Sequence, residues 1–117
     1  MNKDDEHIEQ VAFLNWFNGV EKFRDLIIFS IPNGGKRGFK TAVKLKLEGA
    51  KSGVPDLQIL LPNGKTVFIE MKKEKGGKLS DSQLDFIDKS QSLGHTVIVA
   101  HGCNDASKQF IDYLNNI

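Results

Sequence analysis

Apolar positions along the chain recur with two periods, and the alternation of those periods sets out an order of elements. Over residues 5–20, Phe13, Trp16, Phe17 and Val20 fall at helical spacing, with Asp4 or Asp5 available as cap. Residues 26–31 are a short, mostly apolar strand, and 38–47 a helix carrying Lys40, Lys44 and Lys46. Two runs of strand length, 57–61 and 67–71, flank the turn signal Pro62-Asn63-Gly64. Ser80 opens a further helix: Ser80 and Gln83 form a capping box, Leu79 and Leu84 occupy the hydrophobic-staple positions, and Gly94 is the stop. A buried strand over 96–100 and a closing helix over 104–114, with Phe110, Ile111 and Leu114 inward, complete the chain. Helix, strand, helix, strand, strand, helix, strand, helix predicts an α/β sandwich. Its central hairpin is antiparallel, and the last strand, reached through a crossover helix, is parallel to its neighbour.

The hairpin carries three side chains that packing does not ask for: Asp56, Glu70 and Lys72. Whether they meet depends on the turn. A two-residue Asn63-Gly64 loop pairs Asp56 with Met71 and sends Asp56 and Glu70 to opposite faces. A three-residue loop suits the residues better, with Pro62 at the second position of a type I turn and Gly64 at the left-handed position that follows. Leu61 then pairs with Lys65 and Asp56 with Glu70, so Asp56, Glu70 and Lys72 share one face. Leu57, Ile59, Leu61, Val67, Ile69 and Met71 take the other. Two neighbouring carboxylates repel, and a cation between them removes the penalty. An all-oxygen donor set suits Mg²⁺ or Mn²⁺, and a lysine beside it can hold an anionic oxygen or orient water. The chemistry suggested is phosphodiester hydrolysis.

Charge sharpens this. The whole chain carries only +1, but residues 1–25 carry −3, 26–55 carry +5, 56–79 carry +2 and 80–117 carry −3. A basic strip therefore lies beside the carboxylates, where a phosphate backbone would run. Its members are Lys36 and Arg37 in a glycine-rich loop, Lys40 on the helix, Lys51 in the link to the first hairpin strand, and Lys73 and Lys75 in a second basic loop. No Gly-x-x-x-x-Gly-Lys-Ser/Thr sequence is present, which argues against a nucleotide cofactor. The single Cys103 excludes an internal disulfide and fits a reducing cytoplasm. His7, His95 and His101 lack metal-ligand spacing and read as surface or turn residues. Glu9 lies on the face of Phe13, Trp16 and Phe17, where a carboxylate needs a partner.

Gly53-Val54-Pro55-Asp56-Leu57, a hairpin, Phe68-Ile69-Glu70-Met71-Lys72 and a Leu-Ser-x-x-Gln helix start resemble the PD-(D/E)XK nuclease superfamily. Within it the chain looks like the virus-type replication-repair nuclease (VRR-NUC) domain, in a minimal stand-alone form such as phages carry. The resemblance implies a single domain over 1–117 with a restriction-endonuclease-like core, a central mixed β-sheet flanked by helices. It implies a structure-selective, Mg²⁺- or Mn²⁺-dependent endonuclease acting on branched or duplex DNA, in the cytoplasm of a host if phage-encoded. A glutamate of the first helix joins the metal site in that family. Glu9 is the matching position and Glu6 the next candidate, so the implied metal set is Glu9, Asp56, Glu70 and the Met71 carbonyl. Lys72 would position or help deprotonate the water. Gln83 has a full structural role as a cap and, by resemblance, a place beside the active site. A homodimer would match two phosphodiesters of a junction, and a surplus of aromatics (eight Phe, Trp16 and Tyr113) hints at an interface. The competing readings are a non-catalytic DNA-binding or assembly module of the same fold, and a restriction-type nuclease.

Overall fold

The computed structural model describes residues 3–32 and 38–117. Strands β1 (Ile27–Ser30), β2 (Leu57–Leu60), β3 (Thr66–Lys72) and β4 (Thr96–His101) form one sheet in the order β1-β2-β3-β4. The first two pairings are antiparallel and β3–β4 is parallel, as the crossover through helix α3 (Asp81–Ser92) requires. Helix α1 (Lys3–Gly19) and a 3₁₀ turn (Glu21–Phe23) precede β1, helix α2 (Phe39–Leu47) precedes β2, and helix α4 (Cys103–Asn115) follows β4. Helix α1 is described from Lys3, so Asp5 stands inside its first turn rather than at its cap. Among the described residues no helix is long and apolar enough to cross a membrane.

Period-2 alternation fixes which face of the sheet is the core. Leu57, Ile59, Leu61, Val67, Ile69 and Met71 are all buried on one face, packed with Phe13 and Phe17 of α1 and Ala106 and Phe110 of α4. Phe13, Trp16, Phe17, Phe23 and Phe110 form a continuous aromatic cluster between those helices, with centroids 5.1–6.3 Å apart. The aromatic surplus is thus mostly absorbed by the core, and the hint of an interface it gave loses its basis. Ile111 is 38% exposed, because the helical step that turns Phe110 inward carries Ile111 outward; Tyr113 and Leu114 pack instead. On the second face α3 covers the β3–β4 half, where Phe86 meets Phe68 edge-on at 5.4 Å. Ile27, Phe29 and Leu60, on the β1–β2 half, stay exposed.

The hairpin has the three-residue register, with Leu57 opposite Ile69 and Leu60 opposite Thr66, and the Leu61 N–H on the Lys65 carbonyl at 2.9 Å. Its turn differs from the type I form expected. Asn63 (φ 64°, ψ 29°) and Gly64 (φ 73°) are both left-handed, and the Lys65 N–H reaches the Pro62 carbonyl. Two left-handed residues make the mirror-image turn whose twist matches a hairpin. Pro62, with no N–H for the ladder, becomes the extra residue that keeps the longer register.

Candidate active site

Carried one step past Leu57↔Ile69, the register sets Asp56 opposite Glu70 at the end of β2. The Asp56 carbonyl accepts the Ile31 N–H at 2.8 Å, and its Oδ2 accepts the Met71 N–H, also at 2.8 Å. Asp56 is therefore pinned from the strands on both sides. One further step sets Pro55 opposite Met71. Proline has no N–H to return, so the Met71 carbonyl receives no bond from Pro55 where a ladder would have supplied one.

Glu70 is 3% exposed, on the second face of the sheet. Burial pushes its carboxyl up from 4.5 to about 8, and the neighbouring Asp56 charge, a hydrogen bond to Asp56 and the charge of Glu6 add to the rise. Lys72 pulls the other way without cancelling it. At neutral pH the metal-free pair thus holds a proton that two separate carboxylates would release. Such a pair is a pre-formed demand for positive charge.

Lys72 is 7% exposed, and its Nζ donates to Gln83 Oε1 at 3.3 Å. The same oxygen accepts the Ser80 N–H at 2.8 Å, while the Gln83 N–H donates to Ser80 Oγ at 3.2 Å, closing the capping box. The two roles open for Gln83 are therefore one arrangement: the cap fixes the amide, and the amide fixes the lysine. Gly53 joins the segment before Asp56 to the same helix end. It has φ +87°, and a Cβ there would lie 2.2 Å from the Ser82 carbonyl oxygen. Only glycine permits that approach.

Glu9 finds its partner in the backbone of another helix. Its Oε1 accepts the Cys103 N–H at 2.6 Å, so its carboxylate caps the first turn of α4. A carboxylate on an apolar face needed a partner, and the partner is backbone. Glu6, one turn earlier, is the helix residue whose charge reaches Glu70. Among the described residues no three His, Cys, Asp or Glu side chains form a ready-made metal cage. His101 is exposed, yet the parallel register sets it beside Lys72, with Nδ1 3.2 Å from the Lys73 carbonyl. Only that pairing could have revealed it. Lys40, Lys51 and Lys75 are exposed and Lys73 is half-buried. Lys36 and Arg37 lie outside the described residues.

The VRR-NUC domain family profile matches residues 2–104. One solved structure, a VRR_NUC domain protein, has a TM-score of 0.80 at 24% identity, covering 98% of this chain and 92% of its own. Another, a VRR_NUC domain, has a TM-score of 0.67 at 23% identity, covering 93% and 97%. The likeness is one of fold. No curated protein matches the chain.

Proposed function

The chain belongs to the VRR-NUC domain family, and from that premise we propose that it is a divalent-metal-dependent endonuclease that hydrolyses phosphodiester bonds of DNA, branched DNA in particular. The observation that carries this reading is the buried Glu70 facing the half-buried Asp56, its acid pushed up to about 8, with the Lys72 ammonium on the same face. A structural ion pair would not leave two carboxylates facing one another.

The residues fit a hard divalent cation. Asp56, Glu70 and the Met71 carbonyl would hold it, with Glu6 from α1 in the place first given to Glu9. An all-oxygen, incomplete donor set leaves room for water, as Mg²⁺ and Mn²⁺ prefer. When bound, such an ion supplies Lewis-acid help at phosphorus and an acidified water. Lys72 holds a non-bridging phosphate oxygen or orients the water, and Gln83 keeps the ammonium from swinging out. Lys40, Lys51, Lys73 and Lys75, with Lys36 and Arg37, supply the positive strip for the DNA backbone. We take the working unit to be a homodimer, since one site cuts one strand and a two-fold pair suits the two strands of a junction.

The test is cleavage of labelled four-way junction, flap, nicked and continuous duplex DNA with Mg²⁺ or Mn²⁺. Asp56→Asn, Glu70→Gln and Lys72→Ala should each lower the rate by about 10²–10³ or more with the fold intact. A folded Lys72→Ala protein that cuts at the wild-type rate refutes the assignment. Light scattering with and without DNA tests the dimer, and a monomer that cuts both strands of a junction rejects it.

A further inference from the structure

We propose that the outward face of α2 is a stacking site for an unpaired base of branched DNA, with Phe39 as the platform and Lys40 and Lys44 holding the flanking phosphates. The proposal rests on the nuclease reading and adds to it how a break in the duplex is sensed.

Helix α2 is unusual in this molecule because none of its residues is buried. Phe39, Val43 and Leu47 recur at steps of four and so lie along one face, 82%, 42% and 84% exposed. With Lys40, Lys44 and Glu48 they line an open concavity of about 420 Å³. The other large aromatics are packed away in the core or against α3, apart from Phe29 on the sheet at 40% exposure. Phe39 is thus the most exposed aromatic among the described residues, and it stands in the first turn of a lysine-rich helix.

The position of this helix ties it to the chemistry. The chain leaves the sheet at Ile31, whose N–H is bonded to the Asp56 carbonyl, and it returns to the sheet at Asp56 itself. Both ends of the excursion that contains α2 therefore converge on the proposed metal-binding carboxylate. Along the rim of the α2 concavity Lys40 and Lys44 stand against the single Glu48, so the face is basic as well as apolar.

An apolar row beside a row of lysines has the chemistry of a nucleotide: a π-surface for the ring and cations for the adjoining phosphates. An apolar protein partner would satisfy Phe39 and Leu47 but would have to desolvate or avoid Lys40 and Lys44 in the same concavity. In continuous duplex the base faces are covered by their neighbours and offer nothing to Phe39. At a flap, nick or junction one face is bare. Stacking there favours branched over continuous DNA without reading any base edge, so the preference is independent of sequence.

The experiment uses 2-aminopurine at the branch point of a flap and at the matching position of a continuous duplex, titrated with the full chain without divalent cation. Circular dichroism checks that each variant is folded, as expected for changes at an exposed helix. Wild type should quench the flap probe and leave the duplex probe unchanged. Phe39→Ala and Phe39→Leu should abolish the quench and weaken flap binding by about tenfold, at unchanged duplex affinity; Phe39→Trp should restore both. Leucine that substitutes fully for phenylalanine, or a Phe39→Ala variant that turns a dimer into a monomer by light scattering, overturns the proposal and assigns the face to a protein contact. Binding indifferent to Phe39 also overturns it. If wild type binds neither DNA, the nuclease reading itself fails; binding that merely ignores Phe39 sinks only the stacking site.

Discussion

Replacing Glu70 by glutamine should stabilise the metal-free protein at alkaline pH, which is a direct consequence of where the carboxylate sits. Glu70 is 3% exposed and faces Asp56, and its carboxyl is pushed up from 4.5 to about 8. The folded state thus holds a proton that the unfolded chain releases. Its stabilising contribution is fully present below about pH 4.5 and is lost as pH rises through about 8, since the folded form must then bury a charge beside Asp56. Each pKa step is worth about 1.4 kcal/mol, so the loss amounts to on the order of 5 kcal/mol. Glutamine keeps the shape and can donate to Asp56 as the shared proton does, but it never ionises. For a chain of this size 1 kcal/mol moves Tm by roughly 4 °C, so Glu70→Gln should melt on the order of 20 °C above wild type near pH 9 in chelator, with the gap closing near pH 4.5. Mg²⁺ or Mn²⁺ at pH 8 should raise the wild-type Tm and leave the variant almost unmoved. Parallel Tm–pH curves for the two proteins across this range would refute the reasoning, whatever the activity of either.

Three further outcomes are expected. Glu9→Ala removes a cap from α4 and should cost about 1 kcal/mol in denaturant titration while sparing most cleavage, whereas Glu6→Gln should slow cleavage at little cost in stability; the reverse pattern would return Glu9 to the metal. Gly53→Ala forces a Cβ onto the Ser82 carbonyl at an unfavourable φ and should cost at least about 2 kcal/mol, with lowered activity from a displaced Gln83; an unchanged melting curve would dispose of that close approach. Lys36→Ala with Arg37→Ala should weaken binding to any DNA sequence and reduce the salt slope by roughly one for each phosphate no longer neutralised, and an unchanged slope would leave them as solvated surface.

Much of the site was legible in the chain because it is local. Fifteen positions from Asp56 to Glu70 contain one turn, strand side chains alternate strictly, and so the residues of a single loop decide whether two carboxylates share a face. The turn takes a different conformation from the one expected, yet the register survives, because Pro62 cannot join the ladder in either form. The capping box at Ser80 was legible for the same reason: its partners are three residues apart.

Local chain chemistry was enough to settle the hairpin, the sharing of one face by Asp56, Glu70 and Lys72, the α/β order and the parallel last strand. The rest waited on the assembled fold. Glu6 and Glu9 are one turn apart on the same helix, and which of them reaches Glu70 depends on how Phe13 and Phe17 seat α1 against α4, a rotation no local signal encodes. Lys72 meets Gln83 only because α3 crosses over the second face, and the approach of Gly53 to Ser82 arises from the same crossing. Helix α2 carries an amphipathic pattern that packing would ordinarily bury, but both ends of its excursion are tied at Asp56 and no described element covers it, so Phe39 stays in solvent. Periodicity tells a helix which face is apolar; whether that face has anything to meet is set by the elements around it.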